Sequence, residues 1–223
     1  MSETKLPTIL LVRHGETQWN TEGRLQGWQD APLTLNGFRQ VCAVAENIRE
    51  MWVGLQKNGS VRYHTSSLGR ARQTASILSD CWGIPYAAFA TDDAIKERNY
   101  GQWEGMTLSE VSRSRSAEFE AHQNDPWGYL VPGGETKLEL LARIDTWLHE
   151  LPADQAHVVV THSGCFRLLR GLYVGAARSD MDGYREPQTT SYLLADGASY
   201  ERAMLGSLMT KFKMNPKALT VQI

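Results

Sequence analysis

Two segments of this chain are apolar almost without interruption, TILLV at 8–12 and HVVVT at 157–161. A strand with one wet face alternates apolar and polar residues. A strand that does not alternate is covered on both faces, as happens in parallel sheets sandwiched between helices. Helical spacing follows each run. The pattern predicts an α/β fold, with a mostly parallel central sheet and helices on both faces. Of 223 residues, 42% are hydrophobic and 22% charged, which suits one large soluble domain over 1–223.

Thr34 stands where an N-cap belongs, and Val41, Val44, Ala45 and Ile48 recur at helical spacing, so Leu33 to about Glu50 reads as one helix. Gly54–Ser60 reads as a loop and Val61–Thr65 as a short strand. Ser66 or Ser67 is placed to cap a helix running to about Cys81, and 85–91 has room for another strand. From 99 to 135 the periodicity fades into Gly, Pro, Ser, Trp and Tyr. That stretch reads as a lid-like surface excursion with a short helix near Leu108–Glu120. Leu138–Leu151 is an amphipathic helix ended by Pro152, and about Gly164–Tyr173 is another. Thr190–Ala195 and Tyr200–Leu205 read as a hairpin across Asp196-Gly197, and about 210–223 as a tail.

Several function classes are disfavoured. Net charge is −2 and no basic block exceeds two residues, so there is no nucleic-acid footprint. Cys42, Cys81 and Cys165 are scattered and form no CxxC, which predicts neither a disulfide framework nor a zinc site. MSETKLP lacks the apolar core of a signal peptide, and no run reaches bilayer length. The expectation is a cytoplasmic protein with no membrane partner. No G-x-x-x-x-G-K-[ST] loop is present.

In sheets of this kind ligands bind beyond the carboxyl ends of the strands. Arg13 and His14 follow the first apolar run, Arg70 lies just after Thr65-Ser66, and His162 follows the second run. Two arginines, two histidines and helix N-termini facing one crevice make an anion site, because the guanidinium fork suits phosphate oxygens. A neutral imidazole can attack phosphorus, and a carboxyl kept protonated can deliver a proton to the leaving oxygen. His14 and Glu97 are the candidates. Burial beside an incoming phosphate dianion would raise the Glu97 pKa for that role.

Five motifs occur in order: L-V-R-H-G-E-T-x-W-N, G-R-L-Q-G-W-x-D-x-P-L-T-x-x-G, T-S-S-L-x-R-A-x-Q-T-A, E-x-x-x-G-x-W-E-G and V-V-T-H-S-G. Over roughly 8–205 the chain resembles the histidine phosphatase, or phosphoglycerate mutase-like, superfamily. The resemblance implies that His14 is the phosphorylated nucleophile and that Arg13, Arg70 and His162 hold the phosphoryl group. Glu97 would be the general acid, then the base that activates water. Asn20, Gln26, Gly27 and Ser163 would line the phosphate site, with Gly27 letting backbone approach the ligand. No metal and no cofactor are implied. The partner expected is a small-molecule phosphomonoester, and a homodimer is left open.

Glu104 is the competing carboxylate. Glu16 reads as structural and Arg72 as a solvated helix residue. His64, His122, His149 and His157 read as surface or strand-edge histidines, and Trp19, Trp28 and Trp103 as packing groups. Trp127 and Tyr129 are placed to wall the pocket. Within the superfamily, three features favour hydrolysis over mutase chemistry. The excursion is short, Trp127 is followed by Gly128-Tyr129 rather than paired arginines, and His162 by Ser163-Gly164 rather than Gly-Asn. Arg113 and Arg115 keep a phosphoglycerate mutase as the alternative.

Overall fold

The computed structural model describes residues 5–203. In chain order it runs β1 (Thr8–Arg13), α1 (Gln18–Glu22), α2 (Leu35–Asn47), α3 (Arg49–Asn58), β2 (Val61–Ser66), α4 (Gly69–Trp82), β3 (Phe89–Asp92), α5 (Leu108–Ser114), α6 (Ser116–Asn124), α7 (Lys137–Glu150), β4 (Ala156–Thr161), α8 (Ser163–Tyr173), α9 (Arg178–Gly183), β5 (Thr190–Ala195) and β6 (Ala198–Ala203). The strands form one sheet in the order β3-β2-β4-β1-β5-β6. The first four strands are parallel, while β5 runs antiparallel to β1 and β6 to β5.

The uninterrupted apolar runs are explained by two cores. Leu10, Val12, Val158 and Val160 face α2, α3 and α4. Ile9, Leu11 and Val159 face the opposite layer, where α7, α8 and α9 contribute Leu140, Ile144, Phe166, Leu169 and Met181. Adjacent β1 and β4 therefore send their following helices to opposite faces. This is a switch point, and a crevice opens beyond the two strand ends. Among the described residues no helix is long and apolar enough to cross a membrane.

Four local expectations need correction. The predicted helix through Glu50 breaks at Ile48, and Gly54–Asn58 is not loop but the second half of α3. Tertiary packing overrides the glycine: Trp52 stacks on Trp82 at 4.9 Å and donates its indole N–H to the Tyr63 hydroxyl. The helix near Leu108–Glu120 is two helices, bent at Arg115. Neither Ser66 nor Ser67 is the N-cap of α4; Leu68 holds that position without a side-chain bond. The expected Thr34 cap is present, accepting from the Gly37 N–H at 2.8 Å. The hairpin turns at Asp196-Gly197, both with positive φ, and the predicted tail lies outside the described residues.

Candidate active site

β1 ends by delivering Arg13 and His14 into the crevice, and the His14 N–H still pairs with the Thr161 carbonyl of β4 at 3.0 Å. That bond sets His14 beside His162, with ring centroids 5.2 Å apart. His14 Nδ1 lies 2.8 Å from the Gly15 carbonyl oxygen. A carbonyl can only accept, so Nδ1 carries the proton and Nε2 keeps its lone pair. Burial, and then the Arg70 and Arg13 cations, push the His14 pKa well below its ordinary 6.5. His162 is depressed in the same way, by burial first and then by Arg70, His14 and Arg13. Both rings are neutral at neutral pH.

Arg70 enters from the first turn of α4 and is 1% exposed. Its fork is held from one side. Nη1 donates to the Gln29 carbonyl and to Asp30, each at 2.8 Å, and Nη2 to the Gly27 carbonyl at 2.8 Å. Asp30 also accepts the Gly69 and Arg70 backbone N–H groups, so this distant loop residue supplies the cap that the serines were expected to give. Ser66 is engaged elsewhere: its hydroxyl meets His162 Nε2 at 2.7 Å and accepts the Leu68 N–H. Arg13 Nη1 donates to the Glu186 carbonyl at 2.7 Å. Three buried nitrogens, Arg13 Nε, Arg70 Nε and His162 Nδ1, have no partner among the described residues.

Glu97 is 8% exposed. One carboxyl oxygen accepts the Arg98 N–H at 2.8 Å and the other the Gly164 N–H at 3.0 Å, at the start of α8. A Cβ on Gly164 would lie 2.3 Å from Glu97 Oε1, so only glycine admits the carboxyl there. Glu104 faces elsewhere and accepts the Trp28, Gln29 and Tyr100 N–H groups. It holds the 27–29 loop against the start of the excursion. Gly27, at φ +54, is required by that contact, since a Cβ would come within 2.0 Å of Glu104 Oε1. Its carbonyl accepts from Arg70 Nη2.

The remaining predicted residues divide. Asn20 is locked in the capping box of α1, and its oxygen also accepts from Gln188 at 2.9 Å. Gln26 is buried with an unpartnered Oε1. Ser163 donates to Glu186, which also takes the Arg167 Nε–H at 2.7 Å. Glu16 is structural as expected, holding Thr34 and Asn36. Arg72 is an outlying residue bonded to the Tyr86 hydroxyl. Trp28 is 43% exposed, not packed inside, and donates its indole N–H to the Glu97 carbonyl. Trp103 is the packing group it was expected to be.

Two histidine readings are corrected. His157 is fully buried and bonds His64 across β4 and β2 at 3.0 Å. His122 is half-buried, wedged edge-on against Trp103 and Tyr129. Sequence reasoning missed Ser66 as a histidine partner, Asp30, Glu186 and Arg167. Asp30 and Ser66 left a signal, as the D of G-R-L-Q-G-W-x-D and the first S of T-S-S-L-x-R.

The sequence profile of the histidine phosphatase superfamily (branch 1) matches residues 9–204. The chain belongs to that superfamily. Within it, the chain is 34% identical over 177 residues to a Yersinia pestis protein named "Probable phosphoglycerate mutase GpmB", covering 76% of this chain and 78% of the other. Among solved structures, the α-ribazole phosphatase of Shigella flexneri superposes with a TM-score of 0.74 at 22% identity, covering 88% of this chain and 95% of that one. A mycobacterial glucosyl-3-phosphoglycerate phosphatase gives 0.69 at 24% identity, covering 89% and 98%. At these identities the two structures establish a shared histidine phosphatase fold. In this superfamily member, no cluster of three or more His, Cys, Asp or Glu side chains able to hold a metal occurs among the described residues.

Proposed function

We propose that this chain is a phosphomonoester hydrolase working through a phosphohistidine on His14. One observation carries the reading. A neutral imidazole with its Nε2 lone pair free stands among three buried nitrogens, Arg13 Nε, Arg70 Nε and His162 Nδ1, that have no partner among the described residues. Buried donors are nearly always paired, and a phosphoryl group offers three oxygens to pair them. If Ser66 gives its hydroxyl hydrogen to His162 Nε2, the His162 proton sits on Nδ1 and is available to a phosphoryl oxygen.

In the first step His14 Nε2 forms a bond to phosphorus as the ester P–O bond breaks. The leaving oxygen keeps the electron pair and takes a proton from Glu97, so the alcohol departs neutral. In the second step water attacks phosphorus, the N–P bond breaks back to His14, and Glu97 takes the water's proton. Arg13 and Arg70 stabilise the charge on the phosphoryl oxygens in both transition states.

The test is direct. Brief incubation with substrate and acid-free mass analysis should show one phosphoryl group on the peptide carrying His14, and none in His14→Ala. Full activity in His14→Ala would overturn the reading. The name of the Yersinia relative favours a second reading, phosphoglycerate mutase. Ser163-Gly164 after His162, and the lack of paired arginines after Trp127, argue for water as the acceptor. Phosphoglycerate interconversion outpacing phosphate release from every ester tested would select the mutase.

A further inference from the structure

Glu97 has a second neighbourhood. A cavity of about 220 Å³ adjoins it, walled at that end by Ser163 and Gly164 of α8. The lining also includes Leu108 of α5, which is 50% exposed, so the cavity has a surface residue on its rim. The walls are mainly apolar, with Leu25, Leu140, Leu168 and Met181 contributed by four separate parts of the chain.

The cations on these walls are already engaged. Arg98 donates Nε to the Glu135 carbonyl and Nη2 to the Tyr129 carbonyl. Lys137 pairs with Asp182 at 2.5 Å. Arg167 is held by Glu186 at 2.7 Å. Lys137 and Arg167 are charge-paired with Asp182 and Glu186, so a carboxylate or second phosphate entering here would gain only the N–H donors that they and Arg98 leave over, whereas an apolar group would only have to leave water. The volume is below the roughly 300–1,000 Å³ of pockets that take drug-sized ligands, which limits the occupant to a small group.

The rest follows from reaction geometry, given the role proposed above for Glu97. A general acid must reach the leaving oxygen, so the carbon skeleton bonded to that oxygen continues past Glu97. We propose that this cavity is the leaving-group subsite, and that the preferred substrates are phosphomonoesters of small, uncharged, largely apolar alcohols, aryl or branched alkyl, rather than phosphorylated sugar acids. The inference rests on the phosphohistidine reading but goes beyond it, because that reading is indifferent to the alcohol.

The experiment is a kcat/KM series with the full chain on straight-chain alkyl phosphates from ethyl to hexyl, 2-naphthyl phosphate, glycerol 3-phosphate and 3-phosphoglycerate. With the cavity as subsite, kcat/KM should rise on the order of fourfold for each methylene removed from water until the space is full. Naphthyl and hexyl phosphates should lead both glycerol esters by at least tenfold. Leu108→Asp, at an exposed position where folding is not at stake, should flatten the dependence on chain length. Leu108→Trp should cut it off at a shorter chain. A flat series in wild type, or 3-phosphoglycerate ahead of hexyl phosphate, overturns the subsite while the phosphohistidine stands. Turnover surviving in His14→Ala removes the catalytic reading itself, and the subsite with it.

Discussion

Glu97 and Glu104 both accept backbone N–H groups, yet only Glu97 touches the start of α8. That difference predicts distinct kinetics. General-acid help is worth about 10²–10⁴ in rate, and less when the leaving group is good. Glu97→Gln should therefore slow alkyl phosphate hydrolysis by about that factor and p-nitrophenyl phosphate hydrolysis only mildly. Glu104→Gln should lower both together, through the 27–29 loop that it holds. Equal losses on the two esters in Glu97→Gln would mean that the carboxyl does not donate the proton. Arg13, His14, Arg70 and His162 were legible in the sequence because each follows a strand or opens a helix at a fixed offset. Glu186 and Arg167 were not, since their partners lie 19 to 173 residues away and no local pattern marks them, and Ser66 stood in a motif while its bond to His162, 96 residues on, did not show.

Two elements carry consequences of their own. The start of α4 has no cap from its own sequence, so Asp30 both caps the helix and steadies Arg70. Asp30→Ala should cost about 1 kcal/mol, roughly 2–4 °C in Tm, and raise KM for a phosphomonoester as the Arg70 fork loosens. Wild-type values of both in a melting curve and a saturation assay would refute that double role. On β2, burial and then the neighbouring His157 push the His64 pKa down to about 4. The unfolded chain takes up a proton near pH 6.5 that the folded one refuses, so stability is full above pH 6.5 and falls as pH drops towards 4. The slope is at most about 1.4 kcal/mol per pH unit for each such proton. His64→Leu should be less stable at pH 7 but show a flatter Tm between pH 6.5 and 4; parallel curves would exclude the pair as the cause. The sequence marked these histidines only as strand residues. Likewise Gly54 and Asn58 concealed the end of α3, because the Trp52–Trp82 stack that holds it is tertiary.

At the scale of the whole molecule, the interior of the sheet was readable because a strand buried on both faces leaves no polar alternation. The apolar cavity was not, because its walls come from residues 25 to 182. The cationic set also sets an expectation for metals. Arg13 and Arg70 supply the positive charge that an ion would otherwise supply, so phosphate release should be unchanged in strong chelator. Loss of turnover restored by zinc or magnesium would contradict it. One further consequence comes from the order of strands. β1 pairs only with β4 and β5, so neither partner exists until at least residue 156 has been made. At about 5–20 residues per second, a ribosome leaves the first strand waiting roughly 7–30 s with both backbone edges unpaired. During synthesis, then, the strand that ends in His14 is an open edge, and a truncated chain can hold His14 without ever assembling the crevice around it.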